Sequence, residues 1–144
     1  MIVLDTNVVS EIIRVAPNPT VIAWIDGILD DELFISAVTE AELRYGLERL
    51  PDGRRKAALA GAIAEIVDGD FRGRVLPFDH GAASLFGHIM AERDRGGRPI
   101  DVADAQIAAI CSWWGASLAT RNTPDFVGTG IELVNPWTSE TGGR

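Results

Sequence analysis

Short apolar runs alternate along this chain with longer stretches in which apolar residues recur every three or four positions. The runs Ile2-Val3-Leu4, Leu33 to Ser36, Val75 to Phe78, Ser117 to Thr120 and Ile131 to Val134 read as strands. Asn18-Pro19 gives an N-cap followed by proline at the first helical position, and Val21, Ile22, Ile25, Ile28 and Leu29 then share one helical face. A helix from about Thr39 to Leu50 stops before the turn signal Pro51-Asp52-Gly53, and another runs from Arg54 to Val67. Asp79 caps a helix carrying Ala82, Leu85, Phe86, Ile89 and Met90, which ends at Gly96-Gly97. A last helix spans about Asp101 to Trp114 and ends at Gly115. Such alternation predicts right-handed βαβ crossovers and a mainly parallel sheet between helical layers. With no repeat or linker in sight, residues 1–137 read as one α/β domain and 138–144 as a frayed polar tail.

Composition narrows this picture only in places. The chain has 144 residues, enough for a substantial core, and 47% of them are hydrophobic. No apolar stretch approaches the roughly 18 to 20 residues that cross a bilayer. Asp5 interrupts any signal-type apolar region at the start, so a cytoplasmic setting is expected. The lone Cys111 falls in an apolar helix and reads as a packing residue. A net charge of −8 argues against bulk electrostatic capture of nucleic acid. Two bound divalent cations would halve that charge. The basic residues are unevenly spread, with Arg44, Arg49, Arg54, Arg55 and Lys56 close together, and all but one of the 13 are arginine.

Four carboxylates stand beside predicted element ends. Asp5 follows a buried strand, where open α/β sheets bind ligands, and equally fits the N-cap of a helix starting near Thr6. Thr39-x-x-Glu42 matches a capping box, which would turn Glu42 back onto the helix start. Glu40 lacks that spacing and reads as a solvated first-turn acid. Asp104 borders an apolar arc of Ala103, Ile107, Ile110, Cys111 and Trp114, whereas Asp101 points to the polar side with Ala105 and Ser112. A carboxylate beside a buried stripe needs a partner, so Asp104 is preferred over Asp101. Asp125 lies in a loop after the fourth strand, where Asn122 suits a turn or cap and Pro124 starts a short helical turn. Gathered in one crevice, these acids would repel each other unless cations sat between them.

Other chemistries do poorly. His80 and His88 sit in no persuasive Cys-His or Ser-His-Asp context, and neither zinc spacing nor a phosphate-binding glycine loop is present. What remains is an oxygen-only site suited to hard ions such as Mg²⁺ or Mn²⁺.

Leu4-Asp5-Thr6-Asn7, Ala41-Glu42-Leu43 with Gly46, Asp104-x-x-Ile107-Ala108-Ala109, Thr120-Arg121-Asn122-x-x-Asp125-Phe126 and the ending Asn135-Pro136-Trp137 occur in this order. Together they resemble the PIN-domain ribonucleases, specifically the VapC and FitB-like toxins of bacterial toxin–antitoxin modules, over essentially the whole chain. The resemblance implies a three-layer α/β/α sandwich and an acidic pocket for Mg²⁺ or Mn²⁺. Asp5, Glu42 and Asp104 would be its core metal-binding acids, the fourth place falling to Asp125 or to the position of Asn122. Thr6 and Thr120 would support the site, and Asn7 would orient the first acid. It also implies an RNA substrate, a homodimer, and a cognate antitoxin that forms a larger hetero-oligomer and contacts promoter DNA. An acidic toxin suits an antitoxin that offers arginine or lysine to the pocket.

The competing reading is a PIN-like scaffold that binds RNA or protein without cutting, for which four retained acids would be superfluous. A phospho-acceptor receiver domain would want a lysine near the late strands, but the only lysine is Lys56. A phosphatase of the Asp-x-Asp type is disfavoured by Asn7.

Overall fold

In a computed structural model that describes residues 1–138, five strands lie parallel in the order β3-β2-β1-β4-β5. They are β1 (Ile2–Leu4), β2 (Leu33–Ser36), β3 (Val75–Leu76), β4 (Ser117–Ala119) and β5 (Leu133–Val134). Helices α1 (Thr6–Ile12) and α2 (Pro19–Asp26) link β1 to β2, and α3 (Ala37–Glu48) and α4 (Arg54–Ala64) link β2 to β3. Helices α5 (His80–Arg95) and α6 (Val102–Trp114) then carry the chain to β4, on the other side of β1.

The two-residue period of the strands divides the core. Val3 and Leu118 pack with α5 and α6 around Ile89, Ile107, Ala108 and Phe126. Their neighbours Leu4 and Ala119 pack on the opposite face with Val8, Val21, Leu43, Leu47 and Ile63 from α1 to α4. The result is the expected three-layer α/β/α sandwich. Strand order reverses between β1 and β4, with Ile2 opposite Ser117 and Leu4 opposite Ala119. The helix after β1 and the helix before β4 belong to different layers, so a crevice opens beyond the carboxyl ends of these two strands.

Element ends differ from the sequence reading in informative ways. The helix expected from Thr39 begins at Ala37, because Ser36, the last residue of β2, accepts a hydrogen bond from the Thr39 N–H at 3.1 Å and is itself the cap. No loop separates strand from helix there. The helix expected to reach Val67 ends as α-helix at Ala64 and continues as a wider π turn through Asp70. In α6, Ala105, expected on the polar side, is fully buried, since the helix packs against both α5 and the sheet. Trp114, assigned to the buried arc, is 44% exposed at the helix end. Gly115 closes α6 in the left-handed conformation (φ 67°). The caps at Asn18 and Asp79 form as read. No described helix is long and apolar enough to cross a membrane. The tail from 139 onward lies outside the described residues.

Candidate active site

Asp5 stands at the first residue beyond β1, 4% exposed. It caps α1 and also lines the crevice beyond the sheet, so the two sequence readings are compatible. Its carbonyl accepts the first bonds of α1 from the Val8 and Val9 N–H groups. Its Oδ1 accepts from the Thr6 N–H at 2.8 Å, and its Oδ2 from the Thr120 hydroxyl at 2.8 Å and the Asn7 amide at 3.2 Å. Thr120, fully buried just past β4, takes further bonds from the Asn7 amide and the Asn122 N–H. Asn7 also accepts from the Arg121 N–H at 3.1 Å through its Oδ1. Asn7 and Thr120 therefore lace the ends of β1 and β4 together around one carboxylate. Burial pushes the Asp5 carboxyl up from its ordinary value, against the pull of the bonds from Thr120, Thr6 and Asn7.

Glu42 is not in a capping box. With Ser36 as cap, Thr39 is the third helical residue, and Glu42 lies further along the exposed face of α3. Its Oε1 accepts from the Thr6 hydroxyl at 2.7 Å. That spends the one Thr6 proton, leaving the buried Thr39 hydroxyl to donate to Thr6 at 3.0 Å. A line of hydroxyls thus ties α3 to the residue beside Asp5. Glu40 pairs with Arg44 at 2.7 Å on the outside of the helix.

Asp104 enters in the first turn of α6, while Asp101 is the exposed N-cap residue. Among the described residues no donor reaches the Asp104 carboxylate. Burial first, then the charges of Asp5, Asp101, Asp125 and Glu42, push its carboxyl up to about 6. The four acids are thus electrically one cluster, and each resists the ionisation of Asp104. On the same helix, Cys111 is fully buried, and burial, followed by Asp5, pushes its thiol up to about 12.

The crevice they share has a volume of about 460 Å³ and is lined by Asp5, Thr6, Asn7, Glu42, Asp104 and Asn122 together with Arg14, Arg121 and Trp137. Asp125 stands outside that lining, exposed in a 3₁₀ turn (Thr123–Phe126), and acts on Asp5 and Asp104 by charge. A larger, mostly apolar groove of about 930 Å³ continues past Thr6 and Glu42 between α1, α3 and α4, walled by Ile13, Leu43, Leu59 and Ile63.

The donor set is all oxygen. Among the described residues, no three carboxylate, imidazole or thiol groups are gathered to ligate one ion directly. Mg²⁺ keeps several of its waters and takes one or two carboxylates, which Asp5, Glu42 and Asp104 can supply. A cation beside Asp104 would also remove the repulsion that holds its carboxyl up. The residues fit a hydrated divalent ion.

A family profile described as PIN domain matches residues 2–126. The chain belongs to the PIN-domain family. The VapC ribonuclease Y4jK of Sinorhizobium fredii is 42% identical over 137 residues, covering 95% of this PIN domain chain and 98% of the relative. Toxin FitB of Neisseria gonorrhoeae is 38% identical over 137 residues, covering 95% and 99%. A solved structure of FitAB bound to an IR36 DNA fragment contains a chain of the same fold, with a TM-score of 0.90 and 37% identity over 98% of this chain and 99% of that one.

Sequence reasoning passed over two buried charged residues of this PIN domain, Glu11, which lines the crevice and pairs with Arg14, and Arg93. Arg93, in the last turn of α5, is 7% exposed. Its Nε donates to the Arg98 carbonyl at 2.6 Å, and its Nη1 to the carbonyls of Asp125 and Val127 at 2.9 and 2.7 Å. One guanidinium therefore joins the segment leading into α6, which carries Asp104, to the turn that carries Asp125. An arginine at a helix C-terminus ordinarily reads as a surface complement to the dipole. Only its distant carbonyl partners distinguish it.

Proposed function

We propose that this PIN domain, acting as one unit over residues 1–137, is a cytoplasmic divalent-metal-dependent endoribonuclease and the toxin of a toxin–antitoxin pair. The observation that carries the reading is the meeting of Asp5, Glu42 and Asp104 in one crevice, with the Asp104 carboxyl pushed up by its acidic neighbours. The relatives named as a VapC ribonuclease and as toxin FitB support it.

Asp5, Glu42 and Asp104 would hold Mg²⁺ or Mn²⁺, one or two of them directly and the rest through water, with Asp125 or Asn122 in the fourth place. Such an ion, when bound, would supply Lewis acidity to the phosphate oxygens and ease loss of a proton from the attacking water. Thr120, Asn7 and the Thr6 N–H orient the Asp5 carboxylate and oppose the upward push of burial on it. Thr6 fixes Glu42, and Asn122 lines the crevice beside Thr120. A cation beside Asp104 would offset the charges of the neighbouring acids that push its carboxyl up. No side-chain nucleophile is needed for hydrolysis of the phosphodiester bond.

The antitoxin would lay an apolar segment in the groove beside the site and bring an arginine or lysine to the acids. The FitAB complex with a DNA fragment supports a hetero-oligomer that binds DNA; in this reading it would be built on a toxin homodimer and reach promoter DNA through the antitoxin. RNA cleavage by wild type, Asp5→Asn and Asp104→Asn in Mg²⁺, Mn²⁺ or EDTA tests the enzyme. Cleavage should require the metal and both acids. Undiminished cleavage by either variant, or in EDTA, would sink the metal-nuclease reading, and a wild type that binds RNA without cutting would favour the scaffold.

A further inference from the structure

The Asn135-Pro136-Trp137 ending has no part in the chemistry above, yet it holds one ring in one place. Asn135 Oδ1 accepts from the Trp137 N–H at 2.9 Å, and Pro136 is buried. The turn sets the indole partly into the core on the α1 to α4 side, and the ring also lines the crevice. Over it, 5.1 Å from the ring centroid, lies the guanidinium of Arg121. The Arg121 N–H is the one held by Asn7, whose amide also donates to Asp5. The side chain starts from a fixed point on the Asp5 wall and runs along an aromatic plane.

What sets Arg121 apart is that it lacks an acid partner among the described residues while lining an acidic crevice. Arg14, also in the crevice, is engaged by Glu11, while Arg44, Arg95 and Lys56 each have an acid partner. Arg121 lines a crevice with Asp5, Glu11, Glu42 and Asp104, but no carboxylate lies within ion-pairing distance of it among the described residues. An exposed arginine, stacked and unpaired, keeps its donors for an anion. A planar guanidinium matches phosphate oxygens two at a time, and its face accepts a base.

We propose that Arg121 and Trp137 form a nucleotide subsite for single-stranded RNA. The guanidinium binds the phosphate next to the one that is cut, and the unpaired base beside it lies on the Arg121–Trp137 stack. The proposal rests on the ribonuclease reading. It accounts for how a chain of net charge −8 draws an anionic polymer to an acidic crevice.

The test uses the full chain and a fluorescently labelled single-stranded RNA, with cleavage followed in Mg²⁺ and binding followed by anisotropy in EDTA. Arg121→Ala should raise KM about tenfold while kcat stays within about twofold, the pattern of lost binding shared by ground and transition states. The slope of log affinity against log salt should fall by about one contact. Arg121→Lys should restore that slope but not KM, because lysine lacks the planar face. Trp137→Ala should raise KM severalfold, Trp137→Phe should recover it, and Trp137→Ala should add little once Arg121 is gone. Arg54→Ala, an exposed arginine outside the crevice, should match wild type. An Arg121→Ala protein with unchanged KM and slope, or one matched by Arg54→Ala, would overturn the subsite and leave the ribonuclease standing. Binding that depends on Arg121 without cutting would keep the subsite and remove the ribonuclease.

Discussion

The two walls of the crevice are built on opposite plans. On the β1/β4 wall, Asp5 is buried and both its oxygens are held by donors from Thr6, Asn7 and Thr120. On the α6 wall, Asp104 is half-buried, reached by no donor among the described residues, and opposed by four other acids. The first wall is satisfied as it stands. The second is charged beyond what its own surroundings neutralise, and a cation would complete it. Orientation and electrostatic demand therefore reside on different elements, and they should respond differently to substitution.

The largest contrast lies in activity set against stability. Asp5→Asn and Asp104→Asn should each cut RNA cleavage by more than about 100-fold, beyond the 10- to 100-fold typical of groups that only support a metal ligand. Thermal unfolding without metal should separate the two. Asp5→Asn should lower Tm, because an amide nitrogen would face a donor, whereas Asp104→Asn should raise it at pH 7.5. Equal destabilisation by both would break the comparison.

Arg93→Met comes next. It removes the donors of three carbonyls, and a loss of about 3 kcal/mol in urea denaturation is expected. The two segments it joins carry like-charged acids, so hydrogen exchange at residues 123–127 should accelerate more than elsewhere.

Thr120→Val should lower activity about 10- to 100-fold and stability by about 1 kcal/mol, read from cleavage rates and urea midpoints. A larger loss of stability than of activity would make Thr120 a fold residue first.

The smallest effect is a pH dependence. Because the folded protein holds the Asp104 proton up to about 6, against an ordinary value of 3.8, this group favours folding at low pH. Its contribution is lost as pH rises from about 4 to 6 and stays lost above. The Tm advantage of Asp104→Asn should therefore vanish near pH 4 and reach its full size above pH 6. It should be on the order of 3 °C, given about 2–4 °C per kcal/mol for a chain of this size. Mg²⁺ should narrow it by stabilising wild type.

The same contrast explains what the sequence disclosed. Asp5 was legible because a continuous apolar run ends at it, and a buried strand has one functional end. Asp104 was legible as a charge on the border of a buried stripe. Glu42 was legible only through the family resemblance, because by pattern alone Thr39 and Glu42 have capping-box spacing, while the true cap, Ser36, belongs to a strand that turns into a helix without a loop. Arg93 was invisible because its partners are backbone carbonyls up to 34 residues away, and carbonyls carry no sequence signature. The part written in side-chain pattern could be read. The part written in strand-to-helix junctions and long-range backbone contacts could not.

Cys111, fully buried two turns along α6 from Asp104 and with its thiol pushed up to about 12, is inert to alkylating reagents while the helix is packed. It is the chain's only thiol. Its labelling rate is therefore a clock for the opening of the helix that carries Asp104, and slower labelling on addition of Mg²⁺ would report ligand binding with no RNA present.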